Sequence, residues 1–98
     1  MRLVVEAMRR HGKVDANQAS IVRDARKMGC EVLSLAPLGN GAPDLLIRTR
    51  TRRLLLVEVK VPTGKVNALQ AEFAAKWPVT VIRDTDDLLK LLHRTKGG

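Results

Sequence analysis

Leu54-Leu55-Leu56-Val57-Glu58-Val59-Lys60-Val61 is the stretch whose reading decides the fold. Its apolar residues fall on both faces of an extended chain, the pattern of a central strand covered by helices on each side. Glu58 and Lys60 interrupt that pattern. Ionised groups in such a strand are costly unless they are paired or bound, and at a spacing of two both side chains leave the same face. Upstream lies a second apolar run, Leu45–Ile47, separated from the first by Arg48-Thr49-Arg50-Thr51-Arg52-Arg53. Two apolar runs this close read as a β-hairpin. A turn centred on Thr51 sets Asp44 directly opposite Glu58, with Cβ atoms about 4.5–5.5 Å apart.

Two carboxylates so placed repel each other, and something must offset the repulsion. A hard divalent cation with oxygen ligands, Mg²⁺ or Mn²⁺, would do so. Lys60, on the same face, could then orient or help deprotonate a water, or stabilise charge developing on a phosphate oxygen. The other reading is a buried ion pair of Lys60 with Glu58 or Asp44 and no chemistry.

The remaining elements follow outward from the hairpin. Arg2 to His11 reads as a short helix closed by Gly12. Asp15 stands as an N-cap with Gln18 three residues on, and Ile21, Val22, Ala25 and Met28 recur at helical spacing until Gly29. Glu31 to Leu35 reads as a strand, and Ala36 to Pro43, with two Gly and two Pro, as an irregular loop. Asn67 caps a helix over Ala68 to Lys76. Val79 to Ile82 is a last strand, and Asp84 or Thr85 caps a helix that buries Leu88, Leu89, Leu91 and Leu92. Residues 1–98 form one α/β domain.

Composition bounds the function. Eighteen Lys plus Arg against ten Asp plus Glu give a net charge of +8, which suggests a polyanionic partner. One Phe, one Trp and no Tyr argue against a module that binds by stacking bases. The longest apolar run, Leu54–Val57, falls far short of the roughly 20 residues of a membrane helix. Glu6 interrupts the amino terminus before a signal peptide could form, so a cytoplasmic bacterial or phage-encoded protein is expected. Cys30 reads as a packing residue, Trp77 as a core or interface residue, His11 and His93 as surface residues, and Asp84, Asp86 and Asp87 as helix-start acids.

Gly41-Ala42-Pro43-Asp44-Leu45-Leu46-Ile47, then Val57-Glu58-Val59-Lys60, then Gln70 in the next helix, resemble the signature of PD-(D/E)XK nucleases. More narrowly they resemble the VRR-NUC domain and archaeal Holliday-junction resolvases. The resemblance implies a restriction-endonuclease-like core, a mixed central β-sheet flanked by helices. It also implies Asp44 and Glu58 as metal ligands with the Val59 carbonyl as a third, Lys60 positioning the attacking water, and Gln70 pointing back toward the metal. From its residues alone, Gln70 reads equally as part of a helix cap. Such nucleases usually carry a Glu on the first core helix, where this chain has Asn17-Gln18-Ala19-Ser20; Asn17 or Gln18, Asp15, or Glu6 could contribute instead.

The expectation is therefore a Mg²⁺- or Mn²⁺-dependent DNA endonuclease acting as a homodimer on branched or four-way-junction DNA. Arg48, Arg50, Arg52 and Arg53, at a basic hairpin tip beside the metal site, would contact the DNA backbone. The alternative is a weak or inactive nucleic-acid-binding module that keeps the nuclease fold.

Overall fold

The computed structural model describes residues 13–96. The helix read over Arg2–His11, and Glu6 with it, lies outside the described residues. Helix α1 (Lys13–Lys27) is followed by β1 (Glu31–Ser34), a 3₁₀ turn (Ala36–Leu38), β2 (Leu45–Arg48), β3 (Leu54–Val59), α2 (Ala68–Lys76), β4 (Val79–Ile82) and α3 (Thr85–Lys96). The four strands form one sheet in the order β1-β2-β3-β4. The first two pairings are antiparallel and the β3–β4 pairing is parallel, because β3 reaches β4 through the α2 crossover. Among the described residues no helix is long and apolar enough to cross a membrane.

The hairpin register is the one inferred from a turn at Thr51: Leu45 pairs with Val57, Leu46 with Leu56, Ile47 with Leu55 and Arg48 with Leu54. Thr49 closes the turn, its N donating to Arg53 O at 2.8 Å and its Oγ1 accepting from Arg53 N at 3.1 Å. Alternation then divides the sheet. Val32, Leu45, Ile47, Val57, Val59 and Ile82 share one face and form the core with Ile21 and Ala25 of α1 and Leu88 and Leu91 of α3.

The opposite face corrects the expectation of helical cover on both sides. It carries Leu33, Leu54 and Leu56, and Leu33 and Leu54 are 62% and 68% exposed. α2 contributes no buried residue, because its attachment lies at its first turn rather than along its length. Smaller differences follow from the same packing. Leu89 points outward at 46% exposure, while Leu88 and Leu91 are buried in the core and Leu92 packs against it. Trp77, readable as core or interface, is 55% exposed and so lies outside the core. α1 begins at Lys13, so Asp15 lies inside the helix and not at its cap, a shift that one cap residue does not settle.

The loop before β2 contains a 3₁₀ turn around Pro37 and then turns sharply. Gly39, Asn40 and Gly41 all have positive φ (61°, 54° and 82°), delivering the buried Pro43 and then Asp44 to the head of β2. Gly41 also packs directly against the Leu69 backbone carbonyl in α2, where a Cβ would collide. Gly41→Ala is expected to destabilise the protein by about 1–3 kcal/mol, measured by urea unfolding; an unchanged midpoint would show that this turn does not hold α2.

Candidate active site

Asp44 precedes the first residue of β2, and Glu58 is the next-to-last residue of β3, so the register brings both to the open end of the hairpin. Asp44 Oδ2 accepts from Val59 N at 2.8 Å, which fixes the aspartate across the strand end. Glu58 is 3% exposed. Its Oε2 accepts from Gln70 Nε2 at 3.0 Å, while its Oε1 is buried with no hydrogen-bond partner among the described residues. Burial first, then the charge of the adjacent Asp44 and a hydrogen bond shared with its carboxylate, push the Glu58 carboxyl from its ordinary 4.5 up to about 8; Lys60 and the Asp44 backbone pull the other way.

Gln70 caps its helix, as its residues alone suggest, and also reaches Glu58. Its backbone N donates to Asn67 Oδ1 at 2.9 Å and its Oε1 accepts from Asn67 N at 3.0 Å, a reciprocal capping box. The carbonyl end of the side chain is thus used to start the helix. That leaves the amide nitrogen for Glu58. One residue caps α2 and fastens it to the carboxylate.

Lys60 follows β3, and its N donates to Ile82 O at 3.0 Å. The segment after it is held by Arg83, which sequence reasoning missed. Arg83 Nη1 donates to Val61 O and Gly64 O, each at 2.8 Å, and to Pro62 O at 3.3 Å. The signal was available in the parallel pairing of Val59 with Ile82, because continuing that register by one residue sets Arg83 beside Lys60. Asn17, considered as an oxygen ligand, instead turns its amide nitrogen to Lys60 O at 3.3 Å and Arg83 O at 3.0 Å. It ties α1 to the ends of β3 and β4. No hydrogen bond among the described residues brings Gln18 to this site.

The basic hairpin tip is not beside the carboxylates. It closes the other end of the hairpin, with six residue steps, about 20 Å of strand, between Asp44 and Arg50. Arg48 is engaged across the sheet with Glu31 at 3.8 Å, and Arg50 lies over Gly29, where a Cβ would come within 2.5 Å of its Cγ. Arg52 and Arg53 are exposed.

The donor set is two carboxylates, one of them with an unsatisfied buried oxygen, beside a lysine. Hard divalent cations match such oxygen donors. A third acid is lacking: among the described residues no group of three or more His, Cys, Asp or Glu side chains is placed to hold a metal ion.

A mixed sheet flanked by helices, with an Asp and a Glu meeting where β2 and β3 open, defines a restriction-endonuclease-like α/β core. No protein-family model and no curated protein matches this chain. Among solved structures, a VRR_NUC domain matches with a TM-score of 0.68 and 25% identity, over 83% of this chain and 95% of that one. The chain shares the VRR_NUC fold, and at the level of the fold it is nuclease-like.

The raised Glu58 value has a stability consequence. In the unfolded chain this carboxyl ionises near 4.5, whereas in the fold it keeps its proton until about 8. Its contribution is therefore fully present below the unfolded value and is lost as pH rises through the folded one. Without divalent ions, the melting temperature should fall between about pH 5 and about pH 8, and Glu58→Gln should remove that component; an identical slope in the variant would assign the titration elsewhere.

Proposed function

We propose that this chain is a DNA-binding module of the nuclease fold whose sparse metal site hydrolyses phosphodiester bonds weakly. The observation that carries this reading is the buried, unpartnered Glu58 Oε1 beside Asp44, since an orphaned carboxylate oxygen is costly unless a cation satisfies it. Asp44, Glu58 and the Val59 carbonyl would hold Mg²⁺ or Mn²⁺. Such an ion, when bound, supplies a Lewis acid for the phosphoryl oxygen and lowers the pKa of a water.

The chain's own residues do the rest. Asp44 is kept in place by the Val59 N–H, and Glu58 by the Gln70 amide, which occupies one carboxylate oxygen and leaves the other to the ion. Lys60, with three N–H donors, orients the attacking water and stabilises charge on the phosphate. Arg83 and Asn17 keep the backbone around Lys60 in position.

Two features favour weak turnover over a fully equipped endonuclease. Among the described residues no third acid joins the pair, and Asn17, where the resemblance implies Glu, has its amide nitrogen committed to backbone carbonyls. With fewer charged ligands, affinity for the ion is lower.

The net charge of +8 favours DNA as the partner. Arg50, Arg52 and Arg53, about 20 Å from the carboxylates, would meet the backbone about six nucleotides from the cut, at 3.4 Å per step along one strand. Branched or four-way DNA, handled by two copies with one site for each of two strands, is the substrate proposed.

Linear, flapped and four-way-junction DNA, each with Mg²⁺, Mn²⁺ or EDTA, test this reading. Salt-sensitive binding is expected in every buffer, with slow cleavage only at high metal concentration. Asp44→Asn and Lys60→Ala should each abolish cleavage while sparing binding. Rapid cleavage at low Mg²⁺ would contradict weak turnover. Binding without any cleavage would reduce the protein to a binding module, and cleavage surviving Asp44→Asn would remove the site assignment.

A further inference from the structure

α3 runs from the carboxylate end of the sheet toward the hairpin tip. In its first turn Asp87 Oδ2 accepts from Arg83 N at 2.9 Å, next to Lys60. Near its other end Leu92 and His93 line a cavity together with Thr49, Arg50 and Thr51 of the tip. A second cavity lies between Lys90, His93 and Arg94 of the same helix and Thr80 and Val81 of β4. His93 is common to both, so the two hollows adjoin along α3.

β4 is the free edge of the sheet on this side, and Val81 pairs with Glu58. The hollow at Val81 therefore begins one strand spacing, about 4.8 Å, from the strand that carries the carboxylate. From Asp87 to His93 the helix advances about 9 Å. It thus covers roughly half of the about 20 Å between the carboxylates and Arg50.

This groove is basic. Among the described residues no acid pairs with Arg50, Lys90 or Arg94, whereas Arg23 meets Asp24 at 3.3 Å and Arg48 meets Glu31 at 3.8 Å. Asp87 also borders the groove, but its Oδ2 is held by the Arg83 N–H. Lys90 and Arg94, four residues apart, share one side of the helix. Unpaired cations gathered this way repel one another until a polyanion neutralises them.

We propose that the backbone of one DNA strand lies in this groove, its phosphates held by Lys90, His93 and Arg94 between the carboxylates and the hairpin tip. This rests on DNA being the partner, and not on hydrolysis. The lining favours a backbone over bases: among the described residues it includes no Phe, Tyr or Trp on which a base could stack. Lysine, arginine and threonine donors hold phosphates without reading sequence.

Fluorescence anisotropy of a labelled duplex in EDTA, over a range of salt concentrations, tests this while hydrolysis is silent. Lys90→Ala and Arg94→Ala, both at exposed positions, should each lower the salt slope by about 1 and weaken binding about tenfold near 0.1 M salt. Lys90→Arg should keep the wild-type slope, which separates charge from packing. Lys76→Ala removes the same charge at the end of α2 and should leave the slope unchanged. Wild-type slopes in both alanine variants would overturn the proposal and leave the hairpin tip as the contact, with the proposed function intact. Equal losses in Lys76→Ala would also overturn it, by reducing the effect to net charge. A wild-type protein that shows no salt-sensitive binding would remove the DNA reading itself, and the groove with it.

Discussion

The structure depends on the meeting of two carboxylates at the open end of the β2–β3 hairpin. Every other device near them can be understood as holding Asp44 and Glu58 close against their mutual repulsion. The Val59 N–H fixes Asp44, the Gln70 amide fixes Glu58, and the proton retained by Glu58 up to about pH 8 relieves the charge when no cation does so. The arrangement is poor as a stability device, since it leaves a buried oxygen unpartnered. It becomes reasonable once a cation is supplied.

The supports around the pair come from distant parts of the chain. Gln70 couples the start of α2 to the carboxylate, while Gly41 lets the loop before β2 pack against the same turn of that helix. On the other side, Asn17 and Arg83 bind backbone carbonyls around Lys60. One helix is thus fastened to the site by its first turn.

Much of this was legible in the sequence because it is set by local periodicity. The hairpin register follows from a turn position, and a register error of one residue would have turned every side chain to the other face. The α2 boundaries follow from the Asn67 cap and the approach of Pro78. What was not legible depends on tertiary packing. Apolarity on both faces of β3 implies two covering layers, yet Leu54 and Leu33 are left open because α2 is attached at one end only. Trp77 reads as core or interface, and only the packing shows that it lies outside the core. A basic hairpin tip reads as part of the site until the strand length between Arg50 and Asp44 is counted. Arg83 carried no motif, and its role emerges only from the parallel pairing of β4 with β3.

The central claim is that Asp44 and Glu58 together hold a divalent ion. Calorimetric titration of Mn²⁺ into the protein without DNA tests it most directly, independently of turnover. The account predicts a weak binding event that releases a proton near neutral pH, as Glu58 ionises, and that disappears in both Asp44→Asn and Glu58→Gln. Mn²⁺ binding unchanged in those variants, or absent from the wild-type protein at every pH at which it stays folded, would contradict it.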